Sequence, residues 1–264
     1  MKDSIWLYWG NTPLSFLRYI TLHSLSTLNP DKEINFILRK DKLNAQDYGW
    51  VEKQDYLNYS GKDYIERVKD LKINQLWLED VAPEIARLKA PDVHTSDLLG
   101  WYLLAKHGGT VSDMDIVYIK PMPEISTSVQ LIVLDSYNNQ MIVSLMQGKI
   151  CKFWEGMYSK ALSNYNPLIY QSCGGDIFPP KEEIEDLTVL SEEIIRPFKV
   201  LHADLKKVLF ELVVEEMPSN CIGIHWYGGT HQQQNNIIHA ENYRSCFGGK
   251  ETIISKAIKS TYAD

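Results

Sequence analysis

The first forty residues limit the folds open to this chain, because an apolar run, a leucine-spaced segment and a second apolar run follow one another directly. Ile5 to Trp9 is apolar and aromatic and stops at Gly10-Asn11, which predicts a buried first strand. From Pro13 to Leu28, Leu14, Leu17, Leu22, Leu25 and Leu28 fall near helical spacing, and Asn29-Pro30 ends the pattern. Ile34 to Leu38 then reads as a second strand. A strand, a crossing helix and a strand are the usual opening of a mostly parallel sheet.

The same alternation continues further on. Thr95 or Ser96 is expected to cap a helix whose first turn carries Asp97 and whose apolar face is Leu98, Leu99, Tyr102 and Leu103. Gly108 is a natural stop, with His107 as a last-turn residue before it. A very short strand follows, then Asp113-Met114-Asp115, then Ile116 to Ile119 as another strand closed by Pro121 and Pro123. Leu131 to Leu134 and Met141 to Ser144 are strand-like, and so is Leu168 to Tyr170. Helices are expected over 81–88, 152–162 and 251–259. The rest of 41–93, rich in Tyr, Lys and Asp, gives no clear pattern. The expectation is a single domain over 1–264, an α/β sandwich with a mostly parallel sheet flanked by helices.

Composition narrows the function. A chain of 264 residues with 44% hydrophobic residues can bury a full core without disulfides or a structural metal. The formal net charge is -7, with no dense Lys/Arg patch, which argues against a nucleic-acid partner. Cys151, Cys173, Cys221 and Cys246 are widely spaced, so a zinc site is not expected and free thiols are. The N-terminus has no apolar signal core, and no apolar run reaches the ~18 residues of a membrane span. A cytoplasmic protein is expected, with peripheral association at the cytoplasmic membrane face left open.

Asp113 and Asp115 carry the chemistry. Side chains at i and i+2 of a strand share a face, so the two carboxylates repel unless a cation or solvent lies between them. Mg²⁺ and Mn²⁺ take oxygen ligands and keep room for phosphate. An isolated Asp-x-Asp is more often a solvated turn.

Its context is more specific. Ser96-Asp97-Leu98-Leu99, then Gly108-Gly109, then Asp113-Met114-Asp115-Ile116, resembles the sugar-nucleotide-binding region of glycosyltransferases with the Asp-x-Asp motif. That group includes mannosyltransferases, α-1,4-galactosyltransferases and glucosylating clostridial toxins. The match is strongest over Thr95 to Pro121. Ile5 to Gly10 is similar to the group's first strand, and Asn29-Pro30-Asp31, which reads as a turn, also matches.

The resemblance implies a GT-A-type fold and a metal-dependent, retaining transfer. The donor would be a nucleotide-diphosphate sugar, UDP- before GDP-, and the acceptor a glycan or polysaccharide hydroxyl. It implies Mn²⁺ (or Mg²⁺) on Asp113, Asp115 and a late His, here His225. By the same resemblance Trp9, with Tyr8 as the nearby alternative, lies against the base, while Asp97 contacts ribose or sugar. Trp226 and the Gly228-Gly229 backbone would lie over the diphosphate, with His231 and Gln232 as further contacts. Ser172-Cys173-Gly174-Gly175-Asp176 corresponds to a small-residue loop beside the donor sugar, and reads equally well as a glycine turn with a capping Asp.

One departure stands out. Gly100 occupies the place of an Arg that supports the donor in the resembled group. The missing side chain is expected to leave room for Trp101 or a bulkier donor, with Lys106 or Arg87 as replacement cation. This motivates an alternative reading, a non-catalytic sugar-nucleotide or glycan-binding module. An Asp-x-Asp phosphohydrolase of the haloacid dehalogenase type fits poorly, because that chemistry wants an early strand and a nearby Thr where Ile116-Val117 stands. No phosphate loop, dinucleotide fingerprint or nucleophile elbow is present.

Overall fold

The computed structural model describes residues 3–41, 59–137, 140–198, 204–229 and 231–262. The central sheet has seven strands in the order β3-β2-β1-β4-β7-β6-β8. These are β1 Ser4–Trp9, β2 Glu33–Leu38, β3 Asn74–Trp77, β4 Gly109–Ser112, β6 Val129–Tyr137, β7 Gln140–Gly148 and β8 Leu187–Leu190. Only β7 runs against the others. A separate two-stranded sheet pairs β5 Ile116–Tyr118 with β9 Gly223–His225, antiparallel. The mostly parallel, helix-flanked sheet expected from the sequence is what forms.

The alternation within β1 sorts the helices onto two faces. Ile5 and Leu7 pack with Leu17, Ile20 and Leu25 of the helix Phe16–Leu28. Trp6 and Tyr8 pack with Leu98, Trp101 and Leu104 of the helix Asp92–Lys106. Successive strand residues point to opposite faces, so these helices lie on opposite sides of the sheet. Ser15 caps the first helix by accepting from the Arg18 amide. Inside that helix Thr21 and Ser24 are buried because both serve the segment around β5: Thr21 donates to the Met114 carbonyl (3.1 Å), and Ser24 Oγ accepts from the Tyr118 amide (3.1 Å).

The chain builds β1, β2 and β3 in one direction and then crosses to β4 on the other side of β1. Such a reversal opens a crevice at the carboxyl ends of the two diverging strands, where α/β sheets place ligands. Here the crevice lies between the end of β1, at Trp9-Gly10, and the end of β4, which runs directly into Asp113.

Two local expectations are corrected. The helix expected to start at Thr95 or Ser96 starts at Asp92, because Pro91 ends the extended segment and its carbonyl takes the first helical bond, from the Thr95 amide (2.8 Å). Asp97 is therefore an interior helix residue and not a first-turn one. Leu168 to Tyr170 forms a turn, not a strand: Asn166 and Ser172 close it from both ends through the Ser172 hydroxyl (3.0 Å each way). Residues 42–58, within the stretch whose sequence gave no pattern, lie outside the described residues. No described helix is long and apolar enough to cross a membrane.

A buried polar knot fixes the carboxyl edge of β1 and β2. Arg39, only 3% exposed, donates to the Ala90 carbonyl (3.0 Å), to Asp92 Oδ1 (3.4 Å) and to Thr95 Oγ1 (2.8 Å). Tyr8 donates its hydroxyl to the same Asp92 oxygen (2.6 Å). Gly10 presses on this carboxylate so closely that any side chain there would overlap it. Asp92→Ala strands a buried guanidinium, which typically costs about 3–5 kcal/mol. Urea unfolding of that variant should show a loss near the lower end of this range, since Asp92 keeps some solvent contact.

Candidate metal centre

Asp113 and Asp115 sit where the chain leaves the main sheet for the small one. Ser112 closes β4, the Asp113 amide still donates to the Ser144 carbonyl of β7 (3.1 Å), and Ile116 already pairs in β5. The Asp113–Asp115 turn is thus held from the main sheet on one side, from the small sheet on the other, and by Thr21 from beneath.

The register of the small sheet brings in the third residue. His225 lies opposite Ile116, and the Trp226 amide continues the ladder to the Asp115 carbonyl (2.9 Å). His225 Nε2 is 3.0 Å from Asp115 Oδ1 and 4.0 Å from Asp113 Oδ2. The Gly228 amide donates to Asp115 Oδ2 (2.7 Å). One ligand atom from each of Asp113, Asp115 and His225 lies within 4.8 Å of the others.

The electrostatics separates the two carboxylates. Burial raises the pKa of both, but His225, its hydrogen bond, Arg18 and the Gly228 amide outweigh this at Asp115, which ends well below the ordinary range. His225, a Ser144 hydrogen bond and Arg18 also lower the pKa of Asp113, but burial and the Asp115 charge outweigh them and hold it above the ordinary range. At His225, burial works against the charged ring, and attraction to Asp115 and Asp113 overcomes it. Two carboxylate oxygens and one imidazole nitrogen make a donor set able to hold a divalent cation. His225 Nδ1 has no hydrogen-bond partner, which leaves the ring uncommitted on its other side.

Asp97 joins this group from the helix Asp92–Lys106. Burial, and then the Asp113 charge, raise it to about 8. Its Oδ2 is shut off from solvent with no hydrogen-bond partner. The Gly174 backbone lies over it, and a Cβ there would come within 2.6 Å of Oδ2. The glycine loop 172–176 is therefore brought to Asp97, while Asp176 itself is exposed.

The other expected residues fall in different places. Trp9 is half-buried at the end of β1, with Nε1 donating to the Thr12 carbonyl (2.9 Å). Tyr8 points to the opposite face, where its hydroxyl is used on Asp92. Trp226 is fully buried in the core and presents no face to a ligand. His231 is buried beneath it, with Nδ1 on the Trp226 carbonyl (2.7 Å). Of Gly228 and Gly229, the first reaches the cluster, through its amide.

Gly100 opens no space for a donor. Its missing side chain would meet Met146 Cε at 3.1 Å and Val111 Cγ1 at 3.3 Å, so the helix packs tightly on the sheet there. Lys106 is exposed at the far end of the helix, ~14 Å along the axis from Asp97 at 1.5 Å per residue. Arg87 is exposed and donates to the Pro83 carbonyl. Arg196 acts on His225, and the cation that acts on both carboxylates is Arg18, which the sequence reading passed over. It is 7% exposed, and its guanidinium lies 4.3 Å from the Trp9 ring centroid and 5.4 Å from that of Trp226. The available signal was local: an Arg in the first turn of a helix that has no acidic residue there.

No protein-family profile matches the sequence, and no curated protein is significantly similar to it. Among solved structures, the chain is similar to a PaToxG glycosyltransferase at 15% identity and a TM-score of 0.47, over 67% of this chain and 66% of that one. It is similar to the galactosyltransferase LgtC, solved with donor and acceptor sugar analogs, at 12% identity and a TM-score of 0.42, over 97% and 99%. A third similar structure is a transferase carrying two Cys-to-Ser substitutions, at 10% identity and a TM-score of 0.39, over 65% and 82%. Likeness this distant assigns neither a family nor an activity.

Gly228 is the residue on which the cluster's packing can be tested. A Cβ there would come within 2.5 Å of Arg18 Nη2 and 3.0 Å of the Trp226 ring. Gly228→Ala should cost about 1–3 kcal/mol by overpacking, read by chemical denaturation.

Proposed function

We propose that this chain is a metal-dependent glycosyltransferase of GT-A type. It would transfer a sugar from a nucleotide-diphosphate donor, a UDP-sugar before a GDP-sugar, to a hydroxyl of a glycan or polysaccharide. The observation that carries this reading is the gathering of Asp113, Asp115 and His225 at the carboxyl edge of the sheet, beside the β1–β4 crevice. Four independent elements converge there: the end of β4, the end of β9, the helix Asp92–Lys106 and the helix Phe16–Leu28.

In this reading Asp113, Asp115 and His225 Nε2 hold a divalent cation. When bound, the cation supplies positive charge to the diphosphate as it departs. Asp115 is fixed for that task by the Gly228 amide and by His225. Trp9, at the end of β1, offers its ring to the base. Asp97 Oδ2 is a buried acceptor without a donor, which suits a ribose or sugar hydroxyl. Tyr8 and Trp226 are assigned to support: Tyr8 holds Asp92, and Trp226 backs Arg18. An α-linked product from an α-linked donor is the stereochemistry proposed, following the resemblance over Thr95 to Pro121.

The decisive measurement is Mn²⁺-dependent release of a nucleoside diphosphate, after a thermal-shift screen of UDP- and GDP-sugars has found the donor. Changes outside a metal's own ligands already cost 10–100-fold, so Asp113→Asn and Asp115→Asn should each lower turnover by more than about 100-fold while the circular dichroism spectrum is retained. Undiminished turnover in both variants sinks the metal site. Tight donor binding without transfer or hydrolysis, over a broad acceptor panel, favours the non-catalytic module instead.

A further inference from the structure

Arg18 stands in a position that local physics disfavours. It is the third residue of the helix Phe16–Leu28, where the helix end already carries positive partial charge, and no acidic residue accompanies it in that turn. It is also nearly buried, and burial of a cation is costly unless charge is placed to meet it. Two indoles flank the guanidinium, Trp9 from β1 and Trp226 from the end of β9. Gly228 makes the room: its missing side chain would occupy the space of Arg18 Nη2, while its amide is bonded to Asp115 Oδ2. The guanidinium therefore lies one glycine away from the Asp115 carboxylate, and its charge acts on both Asp113 and Asp115.

We infer that Arg18 is a built-in counter-charge: it keeps Asp113, Asp115 and His225 assembled without a bound cation, and it holds the cluster's affinity for a divalent cation low. This rests on the metal reading proposed above. The Arg18 charge offsets part of the negative charge that the two carboxylates present to an arriving ion. Removing a positive charge a few ångströms from the site strengthens attraction for a dication, and attraction across partly buried protein is large enough to be measured as affinity. The two indoles accept the flat face of a guanidinium, which keeps the charge in place. Arg18 is thus a positioning residue and not a ligand.

The test uses Mn²⁺ alone as probe, with free Mn²⁺ followed by electron paramagnetic resonance, at about pH 8.5, where competition from protons on buried carboxylates is reduced. The variants are Arg18→Met, Arg18→Gln and Arg18→Lys. The Met and Gln variants should bind Mn²⁺ about tenfold more tightly than wild type, and their melting temperatures should rise more on adding Mn²⁺. Arg18→Lys should stay near wild type. A Met or Gln variant that folds only with Mn²⁺ also supports the inference, because the ion then replaces the lost charge. A variant that stays unfolded in saturating Mn²⁺ counts against it. Wild-type affinity in the Met and Gln variants overturns the counter-charge role and leaves the metal reading standing. Wild-type protein that binds no Mn²⁺ overturns both.

Discussion

Two carboxylates held one residue apart on a half-buried turn repel each other, and much of the surrounding structure answers that repulsion. The answer is unequal by design of the backbone. Asp115 receives the imidazole, the Gly228 amide and the field of Arg18, and stays charged. Asp113 receives less and is driven toward its neutral form. Neither could be kept on this turn by its own strand, since β4 has ended and β5 pairs elsewhere. Thr21, Ser144 and the β5–β9 ladder hold the backbone while the charges are held by groups from other parts of the chain.

The scaffold follows from simple patterning. The alternation Ile5-Trp6-Leu7-Tyr8 places a helix on each face, and the crossing from β3 to β4 on the other side of β1 makes the crevice. Once that topology exists, the turn after β4 must open at the same edge as the end of β1. The reading of Asp-x-Asp as a site and not a surface turn therefore gains a geometric reason that spacing alone does not contain.

Much of this was legible in the residues. The strand–helix–strand opening, the Gly108 stop, and the strands around 116–119, 131–134 and 141–144 all follow local rules, and β-branched or apolar runs bounded by Gly and Pro mark them. The start of the helix at Asp92 was misplaced because Thr95 and Ser96 look like caps, while Pro91 sets the boundary and Thr95 is taken by Arg39. Leu168 to Tyr170 has strand composition, but Ser172 folds it into a turn through a hydrogen bond that propensity does not encode. His225 was legible by its late position between apolar residues, and the register that places it opposite Ile116 was not. Arg18 was hidden because a single basic residue in a leucine-rich helix reads as surface; its burial depends on Trp226 and Gly228, which lie more than 200 residues away in sequence. The absence of an Arg at Gly100 looked like a loss of donor support. Its position is packed against β4 and β7, and positive charge arrives at the site from another helix.

Asp115 and His225 are 110 residues apart in the chain. During synthesis the N-terminal parts of a protein emerge first. The ribosome therefore delivers both carboxylates long before it delivers the imidazole, the Gly228 amide or Trp226. Contacts of such wide separation form late, because the connecting chain must be ordered before they are rewarded. A nascent chain can complete β1 to β4 while its acidic turn still lacks its C-terminal partners. The cluster of Asp113, Asp115 and His225 is thus completed only at the end of folding, and until then the turn is an open pair of aspartates.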